Sequence, residues 1–187
     1  VQKWCTGKIG MTGGSAMGIT QYMAAGSVPP HLVCGEAAVA CYSLYHIAVF
    51  PGGAFRKALV EGWVKSTGYG DRVLQFLSGH PLYDDLWRTV NIAERADKIN
   101  VPMVHKGGWY DCFQQGTISA YMTLQHNGDE KARGNQILVI GPWGHGARPV
   151  GELQFPPSAS QDPYRGKSGA WMAHWLKGDK NDVPTWP

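Results

Sequence analysis

A chain of 187 residues is long enough to bury the core of one domain. Hydrophobic residues make up 43% but charged residues only 17%, below the roughly 25% usual for globular proteins, and 25 Gly, 12 Pro and 8 Trp indicate a loop-rich chain with large aromatics for a pocket or for packing. The net charge of +3 is scattered, with no run of like charges and no basic helix face, which argues against nucleic acid or an anionic membrane as partner.

In chain order, the first signal is the apolar run Lys8-Ile9-Gly10-Met11-Thr12, read as a strand. It leads into Gly13-Gly14-Ser15-Ala16-Met17-Gly18 and then a helix whose Ile19, Tyr22 and Met23 share one face; Gly26 ends it and Pro29-Pro30 prevents its continuation. Residues 31–39 are a mostly apolar strand of the kind buried on both faces of a parallel sheet. Residues 42–97 lose the alternation of strand and helix, are aromatic and helix-prone, and are interrupted at Pro51-Gly52-Gly53 and His80-Pro81, as expected of an insertion. The strand signal resumes at Val101-Pro102-Met103-Val104-His105, is followed by a helical face of Ile118, Tyr121 and Met122, and is clearest over residues 136–141. Ser168 is placed to cap a last helix with Trp171, Met172, Trp175 and Leu176 on one side, ending at Lys177-Gly178. The expected fold class is α/β, a mostly parallel sheet flanked by helices, with core over residues 1–41, a helical cap over 42–97 and core again over 98–187. Cys5, Cys34, Cys41 and Cys112 lack the spacing of a zinc or redox site and are read as buried thiols, with one disulfide left open.

A serine held between strand and helix by glycine-sized neighbours has its hydroxyl pushed out at the strand's C-terminal end, as in the nucleophile elbow of α/β-hydrolases. Triad partners follow such a serine in the order acid, then histidine, at the ends of later strands. Asp111, in Gly108-Trp109-Tyr110-Asp111, and His145, in Gly141-Pro142-Trp143-Gly144-His145, meet both conditions. Parallel strands gather their C-terminal loops on one edge, so the three residues can converge there. The chemistry needs these types: a neutral imidazole takes the serine proton, the carboxylate fixes its tautomer, and the N–H of Ala16 helps bind the oxyanion. Trp109, Tyr110 and Trp143 are the nearest aromatics for substrate binding. Each element also has a simpler reading: Gly-Gly-Ser as a turn, Asp111 as the N-cap of a helix starting at Phe113, His145 as a turn histidine. Cys112 beside a carboxylate is a poor nucleophile. His80, Asp84 and Asp85 match no helical ligand pair, so no metal site is expected.

On these residues the sequence resembles the cocaine esterase, glutaryl acylase and Xaa-Pro dipeptidyl-peptidase family of serine hydrolases, which includes the α-amino-acid ester hydrolases. The resemblance rests on residues 7–15 as nucleophile strand and elbow, on His80-Pro81-Leu82-Tyr83-Asp84-Asp85-Leu86-Trp87, on Val101-Pro102 through Asp111, and on Gly141-Pro142-Trp143-Gly144-His145. It implies the C-terminal part of an α/β-hydrolase core with a helical cap. It implies Ser15, Asp111 and His145 as a triad that cleaves an ester, amide or short-peptide substrate through an acyl-enzyme, without cofactor. Trp175-Leu176-Lys177-Gly178 is similar to the helix that closes the family's hydrolase domain before a jelly-roll domain. The family has Tyr where this chain has Ala16, and its other oxyanion donor is a tyrosine on an earlier loop without a counterpart here. The expectation is therefore a fragment of a longer protein, completed by an N-terminal core segment and a C-terminal jelly-roll, with the Ser15 strand central in the full sheet. Homo-oligomerisation is compatible with the sequence, and a catalytically incomplete binding or scaffold module is the alternative to an enzyme.

Overall fold

Four short apolar runs edged by glycine or proline pair side by side in chain order, all parallel: β1 (Ile9–Gly14), β2 (Leu32–Ala38), β3 (Met103–Gly108) and β4 (Ile137–Gly141). The computed structural model describes residues 2–146 and 151–186. The two inner strands, β2 and β3, are buried along most of their length, as expected of strands covered on both faces of a parallel sheet. Among the described residues β1 has β2 as its single neighbour, so it lies at an edge of this four-stranded sheet.

Helices cover both faces. Between β1 and β2 the chain returns through α1 (Ala16–Gly26), and between β3 and β4 through α5 (Gln114–Asn127). Ile19, Tyr22 and Ala25 of α1 and Ala120 and Leu124 of α5 pack with Ala37 and Met103 of the sheet. On the opposite face Cys34, Val104 and Val139 pack against Tyr164 and Trp171. Trp171 belongs to α6 (Ser168–Met172), which widens into a π-helical turn over Ala173–Lys177 and ends at Gly178 in the left-handed region, φ 80°. Ser168 does not cap α6 as expected: it lies inside the first turn, and its hydroxyl donates to Glu36 Oε2 at 2.6 Å. A carboxylate buried on β2 is the stronger acceptor, and Tyr164 donates to its other oxygen.

The segment between β2 and β3 holds α2 (Lys57–Ser66), α3 (Gly70–Ser78) and α4 (Asp85–Thr89). An antiparallel bridge between Ser43 and Asn91 ties its two ends together. Its aromatic centre is Tyr45, Phe50 and Trp87, with ring centroids 5.1–6.0 Å apart, and the Trp87 indole N–H donates to the His80 carbonyl at 2.8 Å. Asp84 caps α4 and accepts from His80 Nδ1 at 2.7 Å, which accounts for the His-Pro-x-Tyr-Asp stretch as architecture. All four cysteines are free thiols; Cys34 and Cys41 are buried.

Candidate active site

The turn from β1 into α1 is built to hold a strained serine. Ser15 has φ 56°, a conformation an L-residue adopts at a penalty of about 1–3 kcal/mol, and it is held there by its amide, which donates to the Ala38 carbonyl at 2.9 Å. Its neighbours must be small: Gly13 has φ 150°, and a Cβ on Gly18 would lie 2.7 Å from Ala40 Cβ. No local pattern marks the clamp beneath this turn. Gln21 of α1 is buried; its amide nitrogen donates to the carbonyls of Gly13 and Glu36 at 3.1 and 3.0 Å, and its oxygen accepts from the Glu36 amide at 3.0 Å. One side chain thereby pins the helix to both strands that set the turn.

Asp111 and His145 reach Ser15 from the ends of β3 and β4. His145 Nδ1 lies 2.7 Å from Asp111 Oδ1 and Nε2 lies 2.9 Å from Ser15 Oγ. The Asp111 side chain is wholly buried while that of His145 is 41% exposed, so the carboxylate is fixed and the imidazole faces the solvent side of the site. Asp111 is not a helix cap: α5 begins at Gln114, with Phe113 at the cap position and no side-chain cap bond. The Phe113 ring meets the imidazole edge-on at 5.4 Å between centroids. The Asp111 hydrogen bond is the main cause that pushes the His145 pKa up to about 10, with Cys112 adding to it and burial opposing it. Ala16, the first residue of α1, is exposed, and amides in a helix's first turn have no partner within the helix.

Beside Ser15 and His145 opens a cavity of about 340 Å³ whose walls include Ile19, Leu59, Trp63 and Phe113. Leu59 and Trp63 come from α2, so the insertion supplies one wall. The three aromatics expected to bind substrate lie elsewhere. Trp143 is buried with its ring against Gly141, where a Cβ would come within 1.9 Å of the ring; Trp109 and Tyr110 are exposed and do not line this cavity. Trp143 instead shapes the histidine loop: its carbonyl accepts from the Tyr110 amide at 3.0 Å and leaves no room for a side chain at Gly108. A second cavity, about 400 Å³, lies on the α6 face of the sheet by Glu36, Lys106 and Asp162.

The family model for X-Pro dipeptidyl-peptidase (S15 family) matches residues 1–73 and 67–147. The cocaine esterase of Rhodococcus sp. (strain MB1 Bresler) is 25% identical across 77% of this chain, which corresponds to 32% of that enzyme. Among solved structures, a CocE/NonD family hydrolase from Staphylococcus aureus superposes with a TM-score of 0.76 at 19% identity, covering 100% of this chain and 32% of its own. An α-amino-acid ester hydrolase superposes with a TM-score of 0.67 at 20% identity over 90% of this chain and 34% of its own. At such identities the structural likeness establishes the fold. The chain spans about a third of the length of these relatives.

Proposed function

Because the chain belongs to the X-Pro dipeptidyl-peptidase (S15) family of hydrolases, we propose that it carries the reacting centre of a serine hydrolase that cleaves an ester or amide bond through an acyl-enzyme. The observation that supports this most directly is the unbroken line of contacts from Asp111 Oδ1 through both nitrogens of His145 to Ser15 Oγ. Neutral His145 accepts the Ser15 proton at Nε2 as Oγ attacks the substrate carbonyl. Asp111 keeps the other ring proton on Nδ1 and stabilises the imidazolium that forms. The oxyanion meets the Ala16 N–H; removal of one such donor typically lowers kcat about 10²–10³-fold. The imidazolium then protonates the leaving group, and water, deprotonated by the same nitrogen, releases the acyl group and restores Ser15.

The cavity favours a neutral acyl group. Its described walls carry no carboxylate to hold a substrate ammonium. The reading is tested on the intact protein with a fluorophosphonate probe and a p-nitrophenyl ester. Labelling and turnover are expected to vanish in Ser15→Ala, and turnover in His145→Ala. Labelling that persists undiminished in Ser15→Ala overturns the assignment.

A further inference from the structure

Cys112 follows Asp111 in the loop after β3, and its Sγ lies 3.7 Å from the same His145 nitrogen, Nδ1, that faces Asp111. One ligand atom from each of Asp111, Cys112 and His145 lies within 4.8 Å of the others. Independently, the second Asp111 oxygen, Oδ2, is buried without a hydrogen-bond partner, in a residue only 7% exposed. Buried carboxylate oxygens are ordinarily satisfied, so an orphaned one on the residue grouped with this thiol and imidazole leaves Asp111 with capacity for a further ligand. Cys112 is half-buried and the imidazole half-exposed, which leaves an entry path from solvent.

We propose that Asp111, Cys112 and His145 form an inhibitory site for a thiophilic divalent cation such as Zn²⁺, which switches off the Ser15 centre; the inhibition rests on the serine-hydrolase reading above. A thiolate, an imidazole and a carboxylate suit Zn²⁺ or Cd²⁺, not Mg²⁺ or Ca²⁺. Tetrahedral zinc, with bonds of about 2.0–2.1 Å to nitrogen and 2.3 Å to sulfur, holds those two atoms roughly 3.5 Å apart. The observed 3.7 Å needs almost no adjustment. Asp111 ligates through the unpartnered Oδ2, and the 2.7 Å hydrogen bond between Oδ1 and Nδ1 is given up as Nδ1 turns from donor to metal ligand.

The effect on chemistry follows from the ring's single proton. In the active tautomer that proton is on Nδ1 and the Nε2 lone pair faces Ser15. A cation that takes the Nδ1 lone pair leaves the ring proton on Nε2, while the Cys112 proton goes to solvent. Nε2 then donates toward Ser15 Oγ and has no lone pair to accept the serine proton, so the nucleophile stays inactive.

The test is carried out on the intact protein stripped with chelator, then titrated with Zn²⁺, each variant compared with its own chelator-treated rate. Zn²⁺ is expected to abolish p-nitrophenyl ester turnover, with full recovery on chelation. Cys112→Ala and Cys112→Ser, the latter close to the native size, are each expected to weaken inhibition at least ~10-fold, the scale of losing even a supporting partner of a metal site. Cd²⁺ is expected to produce the ultraviolet band of a cadmium–thiolate bond in the unsubstituted protein and in Ser15→Ala, but not in the Cys112 variants. That absorption reports the site without turnover, so it separates failure of the metal site from failure of the serine mechanism. Zn²⁺ inhibition of equal strength in both Cys112 variants, or absence of the Cd²⁺ band at saturating metal, overturns the proposal.

Discussion

At the residue scale the proposed chemistry depends on how one histidine is held, and stability on a second being kept neutral. The Asp111 bond that raises the His145 pKa toward 10 favours the protonated ring, whereas the proposed base is the neutral one. Activity is therefore expected to rise with pH well above the ordinary histidine value. Asp111→Asn removes the charge that holds the proton, so the pH limb should move to lower pH while kcat falls roughly 10⁴-fold, the ring being left in the wrong tautomer. A pH–rate profile of both proteins checks the two effects together. His105 on β3 behaves oppositely. Its Nε2 donates to Gln136 Oε1 at 2.9 Å, its Nδ1 accepts from the Tyr22 hydroxyl at 2.8 Å, and complete burial pushes its pKa down to about 4. The unfolded chain takes up this proton near pH 6.5 and the folded chain does not, so the contribution is fully present above pH 6.5 and is lost as the pH falls toward 4. The loss amounts to roughly 3 kcal/mol. Denaturation midpoints measured across that window are expected to fall, and a midpoint that is flat between pH 7 and 4.5 would falsify the neutral buried state.

At the element scale, the position of Ser15 is set by how closely α1 lies on β2. A Cβ on Gly18 would meet Ala40 Cβ at 2.7 Å and the Ala38 carbonyl oxygen at 2.9 Å, and Ala38 is also the residue that holds the Ser15 amide. Gly18→Ala is expected to lift the helix from the strand, destabilise the protein by about 1–3 kcal/mol and lower kcat as Oγ moves out of line. A misplacement near 1 Å is worth about 10²-fold. Melting temperature and ester turnover are the measurements, and loss of one without the other would separate packing from positioning. The glycines around the turn are legible as small residues at a strand end. Gln21 is not, because a polar residue on a helix carries no signal of the two backbone groups it reaches across the sheet.

At the scale of the whole molecule, the insertion and the sheet share one core. Tyr45, Phe50, Val60, Val64 and Trp87 belong to the same buried cluster as Ile19, Tyr22, Met103 and Phe113, and α2 also walls the cavity beside Ser15. Removing residues 42–97 and joining the ends is therefore expected to give an insoluble protein without a cooperative unfolding transition. A soluble esterase of broadened specificity would instead mean that the insertion is an independent cap. This differs from what composition indicates: the segment stands out in sequence as irregular, yet its aromatics are the packing that closes the core.

The four strands, the helices after β1 and β3, and the candidacy of Ser15, Asp111 and His145 were all legible from local pattern. Apolar runs with period and punctuation specify strands, and parallel topology alone brings their C-terminal ends to one edge. Residues whose role depends on distances across the chain were not legible. Trp143 looked like a pocket aromatic but packs over two glycines, Ser168 looked like a cap but serves a buried carboxylate, and Leu59 and Trp63 carried no mark that would place them beside Ser15. The proximity of Cys112 Sγ to the histidine ring is of the same kind. Sequence carries residue type and local periodicity, whereas contact between side chains on different loops arises only when the whole sheet is assembled and packed.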